Sequence, residues 1–269
     1  MKDYIESNRE MWDILAKAHT GSEFYDVKGF LDGKQTLDPI EVQELPDLTD
    51  KRLIHLMCHF GIDTLSLAMM GADVTGVDFS PEAIRAAKEL SKTAGINARF
   101  VCTNVYDVPE VIKEQFDVVF TSGGVLVWLP NLERWAKVIN SLLRPGGFFY
   151  IREFHPFAYV FDDEAQTELR VRFPYFMDED PLMFEGDGSY AVDGSETGKT
   201  RSYEWNHSIS KIINALTGEG FRIDYFNEFA ETSYKALPFM VQRDDGRWVL
   251  PTKQECVPLM FSLRATKPT

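Results

Sequence analysis

From Arg52 onward, short apolar runs alternate with stretches where apolar residues recur every three or four positions. Period two or a continuous apolar run marks a strand, and period 3.6 marks a helix. On that basis residues 53–57 predict a first strand, 64–70 a helix, and 73–77 a second strand. Residues 81–93 predict a helix with defined ends: Ser80 as N-cap, Pro81 as first residue, Gly95 just past the end. Ile84, Ala87 and Leu90 share its apolar face. Residues 98–103 predict a third strand. Residues 116–121 predict a fourth, nearly all apolar, as a strand covered on both faces should be. Pro109 limits any helix within 107–114 to a short piece. Residues 132–143 predict a helix with Trp135, Ile139 and Leu142 inward, 144–147 a turn, and 148–153 a fifth strand. Such alternation with short connections predicts an α/β domain with a parallel sheet and helices on both sides.

The flanks differ in texture. Residues 1–50 are polar, interrupted by Trp12, Phe24, Tyr25 and Phe30, and predict one or two helices and loops forming an N-terminal lid. Residues 51–269 then form the main domain. Within it, residues 156–205 are rich in aromatics, acids, Gly and Pro, and are too long for a simple linker. They predict an insertion that folds over the ligand edge of the sheet. A helix at 208–216, a strand at 221–229, an irregular segment at 230–256 and a last strand at 259–265 follow.

Composition narrows the partners. Of 269 residues, 28 are Lys or Arg and 42 are Asp or Glu, a formal charge of -14. That field disfavours nucleic acid and anionic membranes as partners. No apolar stretch reaches the length of a membrane span, and the first ten residues lack an apolar signal core. The three cysteines, Cys58, Cys102 and Cys256, are far apart, with no spacing suited to zinc. The expectation is a cytoplasmic protein with buried thiols and no metal, a monomer or a homodimer.

In an open α/β sheet, ligands bind outside the carboxyl ends of the strands. The first strand runs into Met57-Cys58-His59-Phe60-Gly61, where Gly61 permits close backbone approach and the next helix presents its N–H groups. Asp63 or Thr64 can cap that helix. The second strand ends in Asp78, a carboxylate able to accept hydrogen bonds from a ribose diol. The third ends in Asn104-Val105-Tyr106, an amide side chain and a backbone N–H suited to an adenine edge; the fourth ends in Thr121-Ser122-Gly123.

Taken together, residues 53–61, 76–80, 104–106, 116–120 and 142–147 resemble the class I S-adenosylmethionine-dependent methyltransferases. The resemblance spans roughly residues 50–155. It implies a doubly wound, seven-stranded, mostly parallel sheet with an antiparallel last strand. It also implies S-adenosylmethionine as cofactor and S-adenosylhomocysteine as product. Asp78 would hold the ribose, with Ser80 beside it; Phe79 would cover the adenine, and Asn104 and the Val105 N–H would read its edge. Met57, Cys58, His59, Gly61 and Asp63 would face the methionine moiety, with Thr121, Ser122 and Gly123 below. The usual acidic-x-Gly-x-Gly-x-Gly loop is replaced: His55, Met57 and His59 precede the one remaining glycine, Gly61. The Cys-His-Phe-Gly form is similar to a variant subgroup.

An in-line methyl transfer needs an aligned acceptor and a water-excluding pocket. Trp12, His19, Phe24 and Tyr25 are the candidate lid and substrate-binding residues. His155 is a candidate base or substrate anchor, or else a histidine bonded to backbone at a strand exit. Glu153 is a candidate catalytic carboxylate, or else an ion-pair partner of Arg152 or Arg170. Trp135 belongs to the core and His207 to a cap or packing contact. The acidic run Asp178–Asp180 is a solvated loop or a site for a cationic substrate. Carboxylate, phenol, amine, thiol and halide acceptors all remain compatible. Two other functions compete. A nicotinamide or flavin oxidoreductase wants a Gly-x-Gly-x-x-Gly loop, absent here. A non-catalytic S-adenosylmethionine-binding module would share the same fold.

Overall fold

In a computed structural model, residues 2–177, 179–192, 197–251 and 257–269 are described. Five parallel strands form most of the central sheet: β1 (Arg52–Leu56), β2 (Asp73–Asp78), β3 (Arg99–Cys102), β4 (Phe116–Ser122) and β5 (Leu143–Phe154). A hairpin of β6 (Leu182–Asp187) and β7 (Lys199–Glu204) stands apart, and so does a small sheet of β9 (Glu231–Thr232), β10 (Val241–Gln242) and β11 (Trp248–Val249). The central sheet is completed by β8 (Arg222–Phe229) and β12 (Met260–Thr266), in the order β3-β2-β1-β4-β5-β12-β8. Strand β12 runs antiparallel to both neighbours. This is the seven-stranded, mostly parallel sheet expected, reversing direction of growth beside β1, where a crevice opens at the strand ends.

Helices cover both faces. On one lie α6 (Val108–Val111), α7 (Leu132–Leu142) and α8 (Ile209–Gly218), closing a core around Trp135, Phe149 and Phe261. On the other lie α4 (Ile62–Met69) and α5 (Pro81–Ala94), over Leu67, Phe120 and Tyr150 and over Phe60, Leu65 and Phe100. The ends of α5 follow the local chemistry: the Ser80 hydroxyl accepts from Ala83 N, and Gly95 takes a left-handed conformation.

Residues 1–50 hold three helices rather than one or two: α1 (Lys2–His19), α2 (Val27–Leu31) and α3 (Pro39–Glu44). The two short ones depend on caps rather than on periodicity. Asp26 caps α2, and Asp38 with Glu41 forms a capping box around Pro39 at the start of α3. The expected turn at 144–147 is instead the start of β5, with a register shift opposite Phe116 and Val118. Cys58 is buried, but Cys102 is exposed at the end of β3, against expectation; Cys256 lies outside the described residues. So does Asp178 of the acidic run. Helix α1 is tied to the hairpin: Asn8 donates to Tyr203 O at 2.7 Å and accepts from Tyr203 N at 2.8 Å.

Trp135 is fully buried against Phe149, with ring centroids 5.2 Å apart. Trp135→Ala should cost roughly 3–5 kcal/mol, read as a lower urea midpoint at unchanged slope.

Candidate active site

A cavity of about 630 Å³ opens along the carboxyl ends of β1, β2, β4 and β5. Its floor is the turn from β1 into α4. That turn carries backbone strain: Met57 has φ 58° and His59 φ 52°, with Gly61 at φ 75°. These are the positions where glycines would ordinarily stand, and a side chain there costs on the order of 1–2 kcal/mol per residue. The loop therefore keeps a glycine-like path while carrying side chains. Gly61 itself has no freedom to change, since a Cβ would lie 2.6 Å from the Phe100 ring.

Asp78 holds the turn in place. Its carboxylate accepts from His59 N at 2.8 Å and from Ser80 N at 2.9 Å. It is in no ion pair among the described residues, and it lines the cavity. Burial pushes its carboxyl up to about 6, while the N–H donors oppose that shift.

The cavity wall includes Met57, Cys58, His59, Gly61, Asp63, Phe79, Asn104, Val105, Tyr106, Ser122 and Gly123. Two expected members are elsewhere. The Ser80 hydroxyl, spent on the α5 cap, also donates to Asp13. Thr121 is fully buried in β4 and does not line the cavity. Asn104 uses its side-chain oxygen to accept from Tyr106 N at 3.0 Å, which leaves its amide nitrogen for a ligand. Neither Asp63 nor Thr64 caps α4. Asp63 accepts from the Thr36 hydroxyl at 2.7 Å, and Thr64 pairs with His55 Nδ1 at 2.9 Å.

Of the N-terminal residues, Trp12, Phe24 and Tyr25 line the cavity and His19 does not. His19 is fully buried behind the wall. Its Nδ1 lies 3.0 Å from His59 Nε2, and its Nε2 lies 2.8 Å from the Ser189 hydroxyl. It thus joins α1, the β1–α4 turn and the 156–205 insertion. Burial drives both imidazoles down, that of His19 to about 4, so the pair is neutral near pH 7.

His155 and Glu153 lie off the cavity, and the reason is strand parity. On β5, Phe149, Ile151 and Glu153 face α7 and α8, whereas Arg152 and Phe154 reach the cavity. The Glu153 carboxylate accepts from the backbone of Gly124, Val125 and Leu126 at 2.6, 2.8 and 3.1 Å. It organises the turn after β4 and pairs with neither Arg152 nor Arg170. His155 accepts from Phe157 N at 3.1 Å, and its Nε2 sits 3.0 Å from Glu228. His207 packs rather than caps, bonding Leu129 O at 2.6 Å, while Ser208 caps α8.

Sequence reasoning missed much of the wall. Tyr159, Tyr190 and Glu204 from the 156–205 segment and Tyr234 after β8 all face the cavity. So does a buried charged cluster at its other end. Arg152 lies 2.9 Å from Asp38, which also pairs with Arg247. Glu41 sits beside them, 3% exposed, with its carboxyl pushed up to about 8 by burial. The alternation along β5 was the available signal for Arg152; nothing local marked Glu41. No cluster able to hold a metal occurs among the described residues, and none of their helices is long and apolar enough to cross a membrane.

Residues 54–147 match the family model of a methyltransferase domain. The chain is 26% identical over 161 residues to a ubiquinone biosynthesis O-methyltransferase of Saccharophagus degradans, covering 58% of this chain and 68% of that protein. It is 28% identical over 218 residues to an uncharacterized methyltransferase of Schizosaccharomyces pombe, covering 74% and 82%. Its fold is similar to that of an S-adenosylmethionine-dependent methyltransferase from Methanosarcina mazei. There the TM-score is 0.57 and the identity 22%, over 86% of this chain and 98% of the other.

Glu41 gives a pH test. Its folded value of about 8 lies above the ordinary 4.5, so the folded state binds the extra proton. That stabilisation is complete below pH 4.5 and is lost as pH rises through 8, on the order of 5 kcal/mol in all. Glu41→Gln keeps an acceptor for Asp38 N and cannot ionise. Relative to wild type, it should gain stability between pH 5 and pH 8 by denaturant titration; a constant difference contradicts the assignment.

Proposed function

We propose that this protein, a class I S-adenosylmethionine-dependent methyltransferase, transfers the cofactor's methyl group to a small-molecule acceptor by in-line displacement. The observation carrying the reading is Asp78: an unpaired carboxylate at the end of β2, facing a cavity of about 630 Å³. The cofactor supplies a methyl group on a sulfonium. The residues fit it. Asp78 has lone pairs left for ribose hydroxyls, Phe79 offers a half-buried ring, and Asn104 and Val105 supply polar edge contacts. The strained turn with its Cys-His-Phe-Gly sequence lines the methionine end and marks a variant subgroup.

The acceptor then occupies the remaining half, toward β4 and β5. Trp12, Phe24 and Tyr25 from the N-terminal segment (1–50) and Tyr159 and Tyr190 from the insertion (156–205) wall that half. Their rings exclude water and hold an acceptor against the methyl group. His155 and Glu153 act as structural residues: both are committed to contacts outside the cavity. The net charge of -14 and the scattered cysteines support a cytoplasmic setting without nucleic-acid or membrane partners.

Asp78→Asn tests the reading. Two charge-assisted hydrogen bonds become weaker neutral ones, at roughly 1.5–3 kcal/mol, so S-adenosylhomocysteine affinity should fall about 10- to 150-fold by calorimetry. His155→Ala should leave that affinity unchanged. Equal affinity in Asp78→Asn and wild type overturns the assignment.

A further inference from the structure

Glu204 ends β7 and faces the cavity half-buried. One carboxylate oxygen accepts from the Ser202 hydroxyl at 2.9 Å. No Lys, Arg or His among the described residues forms an ion pair with it, and the charge that acts on it, that of Asp163, is also an acid's. Its cavity neighbours are aromatic. Tyr159 and Tyr234 lie within electrostatic reach of it, and Phe154 packs against both, with centroids 6.1 and 5.3 Å away. A carboxylate lined by rings and lacking a cation is costly to keep dry. A cation placed there gains both the carboxylate and the ring faces.

The rest of the cavity points the same way. Among the described lining residues, six are acids (Asp26, Asp38, Glu41, Asp63, Asp78 and Glu204) and two are cations, Lys34 and Arg152. Lys34 is paired with Asp26, and Arg152 with Asp38. The cations are thus spent, while Glu41, Asp63, Asp78 and Glu204 form no ion pair among the described residues; Glu41 accepts from Asp38 N and Asp63 from the Thr36 hydroxyl. Asp78 and Glu204 stand on different sheets. Asp78 ends β2, while Glu204 joins the β4 side, where the next residue, Trp205, donates its N–H to Val127 O at 2.8 Å.

We infer that Glu204 is the recognition residue for a positively charged nitrogen on the acceptor, so that this enzyme's substrates are amines with a flat or apolar body. The inference rests on the methyltransferase reading for the role of the other half of the cavity. The rings take the body of the acceptor and the carboxylate takes its ammonium group. An acceptor carboxylate would meet Glu204 unfavourably here and find a partner only at Lys34 or Arg152, whose charges are already matched.

The test uses the full chain saturated with S-adenosylhomocysteine and three phenolic probes of similar size: tyramine, 4-propylphenol and 3-(4-hydroxyphenyl)propionate. Tyramine should bind at least ten-fold more tightly than either of the others. Glu204→Gln should reduce tyramine binding at least ten-fold, with 4-propylphenol and S-adenosylhomocysteine unchanged; the latter also shows that the variant is folded. Equal binding of tyramine and 4-propylphenol, or no tyramine binding, overturns the inference. Preference for the propionate also overturns it and moves recognition to Lys34 or Arg152. Failure of wild type to bind S-adenosylhomocysteine at all is a distinct result, and sinks the methyltransferase reading instead.

Discussion

The carboxylate of Asp78 is the constraint on which the site depends. Through His59 N and Ser80 N it ties the end of β2 to the β1–α4 turn and to the start of α5. That anchorage lets Met57 and His59 sit at positive φ without glycine's freedom. Strain of this kind persists only where surrounding contacts over-determine the backbone. Here those contacts are the Asp78 bonds, the Cys58 N–Val77 O bond at 2.9 Å, and the His59–His19 pair. A glycine-rich turn gets its shape from permissive residues; this turn gets the same path from its neighbours.

The same network closes the site from outside. Helix α1 reaches the turn through His19 and reaches the β6–β7 hairpin through Asn8. The insertion returns through Ser189 to His19. Helix α1, the turn and the insertion therefore share one buried histidine that does not itself face the cavity. Because burial keeps both imidazoles neutral, the junction carries no charge that would need a counter-ion.

The sheet was readable from local pattern because each of its elements has a strong period and clear caps, as with Ser80-Pro81 and Gly95 at the ends of α5. The part of the cavity wall at the ends of β1 to β4 was legible too, since in an open α/β sheet ligands bind at the carboxyl ends of the strands. The rest of the wall was much less accessible. Tyr159, Tyr190, Glu204 and Tyr234 come from segments with little periodicity, brought together only by tertiary packing. Glu153 and His155 were misjudged for a simpler reason. A strand exit places alternate residues on opposite sides, and the rhythm of Phe148, Tyr150 and Arg152 against Phe149, Ile151 and Glu153 already assigns Glu153 to the far face. His19 was expected at the wall and supports it from behind, a distinction that depends on the two other elements it touches.

The crevice beside β1 and β2 suits an adenosyl sulfur compound rather than a dinucleotide. Calorimetric titration of the same protein sample with S-adenosylhomocysteine and, separately, with NADH tests it most directly. The account predicts saturable one-to-one binding of S-adenosylhomocysteine and none of NADH. Binding of NADH with no response to S-adenosylhomocysteine would contradict it.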